Sequence, residues 1–256
     1  MAFDFGQYSR KEYKNTFLQN VLFTIHFDEI ASSLINDEVM TKWKDYVCVN
    51  FNNIDIPPAL LHKPISISRK DGALTYIFIN GEVGVAVGAK GYRTFVDNVI
   101  PQIFKLIKFL NCVLSITCVK SVSVRKINIW QFNTQEKGDV KQDDIIANIF
   151  SEKFISAKTN GLFDEEEKKI QYLKKYEWID GDKKAIARTV FMPRRQDGTF
   201  AQVLDTELIL QQQELIPTES LMDISIQLND DLYNLYHWCV NDRIIELMLG
   251  EDCKNG

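Results

Sequence analysis

Proton-transfer chemistry needs groups that titrate near neutrality, and this chain has only His26, His62 and His237. No two of them stand in an HxH, HxxxH or HExxH spacing, which would set paired imidazoles on one face for a metal ion. Neither a metal centre nor a cofactor is therefore expected. His237 lies among Tyr233, Tyr236 and Trp238, the setting of a packing histidine. It still heads the one candidate catalytic set, His237 with Asp223 and Arg125. Both partners are expected on strands, where adjoining positions would pair their charges in a cleft. The Gly-x-Ser-x-Gly elbow, the Walker A loop and GxGxxG are absent. The glycines of residues 81–91 sit along a strand and its exit, where glycine relieves sheet packing or sets a turn. Adjacent acids such as Asp143 with Asp144 and Asp230 with Asp231 point apart on a helix and serve better as caps than as acid–base couples. The five cysteines contain no CxxC pair, and none is matched with a histidine in a recognised nucleophile motif. That pattern supports neither a thiol nucleophile nor zinc nor a disulfide framework, and it fits a reducing compartment.

A second constellation is basic. Between residues 168 and 195 there are nine Lys or Arg against three acids, whereas residues 205–252 carry eleven acids and only Arg243 as a base. Lys174, Lys175, Lys184, Arg188, Arg194 and Arg195 alternate with Tyr172, Tyr176, Trp178 and Phe191. Cations neutralise phosphates and aromatic faces stack on bases, so these residues, Trp178 included, are the candidate nucleic-acid contacts. The same alternation describes a sheet with one face buried, and the opposed charges also suit two surfaces that attract each other in an oligomer.

Positioning these groups requires elements, and the hydrophobic spacing supplies them twice. Residues 65–68, 74–79 and 83–87 are short strands separated by Asp71-Gly72 and Asn80-Gly81, both tight-turn pairs, with Val83, Val85 and Val87 on one face. Residues 92–110 follow as an amphipathic helix, which Pro101 should divide near Asn98. Residues 18–27 read as an entry strand, 37–46 as a short helix, 52–64 as a proline-rich loop and 113–132 as a long strand. After a helix at 143–150 and a polar crossover at 158–169, the pattern returns. Strands at 170–179, 185–192, 200–210 and 221–228 turn at Asp180-Gly181 and Asp197-Gly198, and a helix over 230–249 is capped by Asn229 and stopped by Gly250. In 221–228, Met222, Ile224, Ile226 and Leu228 alternate with Asp223, Ser225 and Gln227. The expected fold is α+β, with two antiparallel sheets each backed by a long amphipathic helix. The expected segments are an N-terminal half over 1–135, a crossover at 136–168 and a C-terminal four-stranded sheet with its helix over 169–256.

Composition bounds the rest. At 256 residues, with 45% hydrophobic and 25% charged residues, the chain can bury a sizeable core and is not a disordered segment. The first ten residues lack the basic and apolar regions of a signal peptide, and no apolar run is long enough to span a bilayer. A cytoplasmic protein with no membrane association is expected.

Several short motifs bear a family likeness. Residues 13–27 with Leu18, Val21, Ile25 and Phe27, the basic strand stretch Arg125-Lys126-Ile127-Asn128, Tyr92 before the first long helix, and Leu235-Tyr236-His237 together resemble a sporadically distributed bacterial family designated TIGR04255 family protein. Lys126 stands where that family usually has an aromatic residue. The resemblance implies a bacterial, cytoplasmic protein, and the family's sporadic spread suggests a setting beside defence or mobile elements. It brings no established activity. On residues and resemblance together, the first expectation is a non-enzymatic binding or interaction module with a protein partner or a second copy. Nucleic-acid binding through residues 168–195 comes next, and a hydrolase or transferase centred on His237, Asp223 and Arg125 comes third.

Overall fold

The computed structural model describes residues 3, 5–13, 16–28, 41–42, 45, 54–55, 65–69, 71–79, 81–133, 148–156, 172–192 and 199–250. The expected loop at 52–64 falls outside them except for Ile54 and Asp55. The expected helix at 37–46 falls outside except for Thr41, Lys42 and Asp45, and so do the crossover at 158–169 and most of the helix at 143–150. Nine strands are described: β1 (Leu18–His26), β2 (Ile54–Asp55), β3 (Ile65–Arg69), β4 (Leu74–Ile79), β5 (Glu82–Gly88), β6 (Cys118–Asn133), β7 (Tyr172–Asp180), β8 (Lys183–Met192) and β9 (Thr199–Pro217). The helices whose bounds lie among the described residues are α1 (Phe95–Asn98), α2 (Ile100–Val113), α3 (Glu152–Ser156), α4 (Leu221–Cys239) and α5 (Asp242–Leu249). The fold is α+β, as expected, but the strands form one sheet in the order β2-β3-β4-β5-β1-β6-β9-β8-β7 rather than two. The physical reason lies in β6 and β9. β6, at 16 residues, is the long strand expected at 113–132, and β9, at 19 residues, runs well past the expected 200–210, so the ladder continues where two separate sheets would each have left an unpaired edge.

The chain divides into two compact units, residues 20–126 with 208–229, and residues 1–19 with 127–207 and 230–256. In the first unit the expected meander is present. Gly72 and Gly81 take φ of 68° and 83°, values that an L side chain rarely adopts, and each supports a tight turn. Register sets Val21 opposite Val87, Phe23 opposite Val85 and Ile25 opposite Val83, and all six are buried. On the next strand Tyr76 and Phe78 share this apolar alternation. The Tyr76 hydroxyl donates to Gln102 of α2 at 2.5 Å, and the Phe78 ring meets Phe109 edge-on. Ile103, Leu106 and Leu110 complete the buried stripe of α2, each worth about 1.5–3 kcal/mol of apolar burial. Pro101 does divide this helical region. It occupies the first turn of α2, where its missing N–H costs nothing, while Thr94 caps α1 by accepting from the Asp97 amide at 3.0 Å.

In the second unit β7 and β8 pair from Tyr172 with Phe191 to Asp180 with Lys183. The turn residues are Gly181 and Asp182, one position later than the expected Asp180-Gly181, and Gly181 has φ of 58°. Glycine at the first turn position with positive φ is the two-residue hairpin geometry whose twist matches the flanking strands. Tyr176 packs on Phe154 of α3 at 4.5 Å between ring centroids, and Trp178 meets Trp238 edge-on at 5.5 Å. Val240 leaves the helical path to bridge Phe150, and Asn241 then caps α5 by accepting from the Ile244 amide at 3.1 Å.

The expected strand at 221–228 is instead the first half of α4, which also displaces Asn229 from its expected cap into the helix interior. The buried positions Leu221, Ser225, Leu228, Leu232, Leu235, Tyr236 and Cys239 follow helical spacing, and Ile226 faces solvent. Ser225 is small enough to lie beneath this stripe, with its hydroxyl donating to the Leu221 carbonyl one turn back. The expected helix over 230–249 is accordingly α4 and α5, separated at Val240 and Asn241. Gly250 stops α5 in the left-handed conformation, as expected.

Gly84 supplies a direct test of close strand packing. A Cβ there would stand 2.9 Å from the Phe23 carbonyl oxygen, a backbone atom of a central strand that has no room to move. Gly84→Ala is expected to destabilise the protein by about 1–3 kcal/mol, read from the midpoint of urea denaturation.

Candidate functional site

His237 projects from α4 toward residues 5–13, and every group it meets belongs to one compact unit. Tyr8 stacks on its ring at 4.8 Å, Tyr233 lies tilted at 4.5 Å, and the Tyr13 hydroxyl is 2.5 Å from Nε2. The Tyr233 hydroxyl donates to the Ser9 carbonyl at 3.1 Å and accepts from the Lys11 amide at 3.2 Å. Tyr13 also touches the Tyr233 hydroxyl at 3.1 Å. Since Tyr233 has spent its single proton on Ser9, the Tyr13 proton goes either to Tyr233 or to Nε2. In the first arrangement Nε2 donates to the Tyr13 oxygen, and in the second it accepts from it. The Tyr8 amide donates to Asn234 Oδ1 at 3.2 Å, and Arg10 pairs with Asp230 while lying 4.3 Å above the Tyr233 ring.

The electrostatics agree with a neutral imidazole. His237 is only 8% exposed. Burial first, and then the nearby Lys11 and Arg10 cations, push its pKa down to about 4, against a smaller opposing pull from Asp242. Burial and the hydrogen bond to Tyr233 push the Tyr13 phenol well above its ordinary range. A base needs affinity for a proton near working pH, and an acid needs a proton that it can release. This pair offers neither, and its hydrogen bonds hold residues 5–13 onto α4.

The other members of that candidate set lie elsewhere. Asp223 is on α4 rather than a strand, with an exposed side chain, and fourteen residues of continuous helix, about 21 Å of axis, separate it from His237. Arg125 is half-buried on β6. Of the other histidines, His26 stands 3.5 Å from Glu82, and His62 falls outside the described residues. Among the described residues, no three His, Cys, Asp or Glu side chains gather as a metal site requires, and no helix is long and apolar enough to cross a membrane.

The hairpin of β7 and β8 has two faces of different chemistry. Cross-strand pairs put Tyr176 opposite Ala187 and Trp178 opposite Ala185 on the face covered by aromatic rings, where Phe5 meets the Trp178 ring edge-on at 5.2 Å. The alternate positions carry Lys175 opposite Arg188 and Ile179 opposite Lys184. On this second face Glu177 pairs with Lys175 and, at 3.1 Å, with Lys184. Those two ammonium groups hold the Glu177 carboxyl below the ordinary carboxylate range. Arg188 forks onto Asp205 at 3.2 Å and Glu207 at 2.8 Å of β9. At the turn, Lys183 reaches Asp231 of α4 at 2.8 Å. The structure thus brings together Lys175, Lys184 and Arg188 of the expected nucleic-acid contacts, and it seats Trp178 among aromatic rings on the opposite face. Arg194, Arg195 and the Lys174 side chain fall outside the described residues. Asp205 and Glu207 were legible only as a two-residue spacing on a strand. Nothing local in the sequence connects them to Arg188, or Tyr8 and Tyr13 to His237.

Two measurements follow from these geometries. His237 takes up a proton in the unfolded chain near its ordinary pKa of about 6.5 and in the folded chain only near 4, so its contribution to stability is complete above about 6.5 and falls away as pH drops toward 4. Urea denaturation is expected to show about 2 kcal/mol of acid-dependent loss over that window that His237→Gln lacks. Arg188→Met removes the counter-charge from Asp205, whose side chain is only 9% exposed. It is expected to cost about 3 kcal/mol in the same assay at neutral pH.

No family model matches this chain, and no curated protein matches it. Among solved structures it is similar to Methanococcus jannaschii TBP at 12% identity, covering 84% of this chain and 96% of that one, with a TM-score of 0.27. A likeness of that size carries no functional inference.

Proposed function

We propose that this chain is a non-enzymatic binding module that engages another protein chain, using the sheet of the unit that contains the β7–β8 hairpin. The observation that carries this is the charge balance of the hairpin. Its cations Lys175, Lys183, Lys184 and Arg188 are matched by Glu177, Asp205, Glu207 and Asp231. A nucleic acid gains affinity by releasing counter-ions as basic side chains neutralise phosphates, and here each phosphate would first displace a carboxylate. Trp178, the natural stacking platform, is already packed against Phe5 and Trp238. Protein interfaces tolerate a mosaic of balanced charges, which fix register and partner choice more than raw affinity. His237, which headed the candidate catalytic set, is neutral, buried and committed to holding residues 5–13, which supports a role other than catalysis. The resemblance to the TIGR04255 family adds the proposal of a bacterial, cytoplasmic setting.

Fluorescence anisotropy with labelled single-stranded DNA and RNA at low salt tests this. Binding weaker than about 100 µM is expected. Micromolar binding that falls steeply with added salt and is abolished by Lys184→Glu would overturn the proposal in favour of a nucleic-acid ligand.

A further inference from the structure

The outward face of α1 and α2 is less polar than the solvent face of a helix ordinarily is. Pro101, Phe104 and Lys108 recur along it at spacings of three and four, all exposed. Phe104 is 45% exposed and Val96 58%, and the Lys108 ammonium stands 4.6 Å above the Phe104 ring. In the same compact unit the outward face of α4 begins with Asp223 and Ile226, both exposed, and Asp223 has no ion pair among the described residues. The Thr218 hydroxyl, just before α4, donates to Asn111 in the last turn of α2 at 2.9 Å, so the end of α2 stands beside the start of α4. Going beyond the protein-binding reading and using none of its residues, we infer that these two stripes are a self-association surface. The α2 stripe of one copy docks antiparallel on the start of α4 of a second copy, and the same contact recurs about a two-fold axis.

α4 itself shows what its outward line accepts. Asp223 and Ile226 continue at spacings of three and four into Asp230, Tyr233 and His237. That later stretch is covered from residues 8–13, where Arg10 pairs with Asp230 and lies over the Tyr233 ring while Tyr8 stacks on His237. A cation and an aromatic ring there cover an acid and its ring neighbours. The earlier stretch offers an acid beside an apolar side chain, and Lys108 with Phe104 again supplies a cation and an aromatic ring. Direction follows from the spacing. Lys108 lies four residues after Phe104, about 6 Å of helix, and Asp223 lies three before Ile226, about 4.5 Å. Only an antiparallel placement therefore joins Phe104 to Ile226 and Lys108 to Asp223 at once. A parallel one would carry Lys108 to Asp230, which Arg10 already holds. Each pair is made twice in the dimer, because a two-fold contact sets residue i against j and j against i. Apolar burial supplies the attraction, and the two ion pairs select direction and partner.

Sedimentation velocity of the full chain at low salt, over a series from about 1 to 500 µM, tests the inference. A reversible dimer that weakens with added salt is expected. Lys108→Glu and Asp223→Lys are each expected to weaken it roughly tenfold or more, because two attractive pairs become repulsive. Both substitutions in one chain restore the pairs with their signs exchanged, and that variant is expected to dimerise about as well as the wild type. Phe104→Ser, at a solvent-facing position, is expected to weaken the dimer roughly tenfold as well. Thermal melts monitored by circular dichroism confirm that each variant is folded. A wild-type chain that stays monomeric throughout the series overturns the inference. So does a dimer indifferent to the single substitutions, or one that the paired substitution fails to restore. The oligonucleotide assay, on which the protein-binding reading stands or falls, is independent of each of these results.

Discussion

The register of the β7–β8 hairpin is the constraint on which the rest of its unit depends. Side chains on a strand alternate between faces with a period of two, so a slip of one residue would exchange Tyr176 and Trp178 with Lys175 and Glu177. That would bury charge beneath the aromatic cluster and expose the rings. Gly181, at φ of 58°, fixes the turn and with it the register. The ion pairs of Glu177 and Arg188 then act as a second lock, because their partners coincide only when the strands align as they do. The partly exposed pairs of Glu177 individually contribute little, whereas the buried Asp205 makes the Arg188 pair costly to break. Their further effect is to penalise alternative registers.

A comparable division of labour governs α4. Its stripe from Leu221 to Cys239 supplies burial, while Tyr233, Asn234 and His237 supply polar anchor points for residues 5–13. A buried polar group is costly unless it is paired, and here the partners are hydroxyls and backbone groups brought from more than two hundred residues away. The lowered basicity of His237 is a by-product of that enclosure. Perturbed titration often marks active sites. At this position the hydrogen bonds join residues 9–13 to Tyr233 and His237 of α4 as a clamp.

Features written in adjacent residues could be read directly from the sequence. Asn80-Gly81 announced the turn before β5, the alternating valines announced its buried face, Pro101 announced the division of the first helical region, and Gly250 announced the end of α5. The first turns of α4 could not be read this way, because the alternation of Met222, Ile224, Ile226 and Leu228 imitates a strand over one short window. The competing helical stripe depends on Ser225, a polar residue that burial accepts only because the helix satisfies its hydroxyl. The candidate site was legible in its residue types and not in its contacts. Lys175, Lys184 and Arg188 were picked out as cations, yet the carboxylates that answer Arg188 lie on β9, joined by pairing that no local spacing records.

Residues 5–13 also have a history imposed by the direction of synthesis. Ribosomes make them before the α4 groups that hold them, since Asp230, Tyr233, Asn234 and His237 emerge more than two hundred residues later. Loop closure over such a separation is entropically slow, and partly made chains expose whatever has not yet found its place. Tyr8 and Tyr13 therefore lack their hydrogen-bond and ring partners until α4 has been made, and their enclosure couples the earlier segment to completion of that helix.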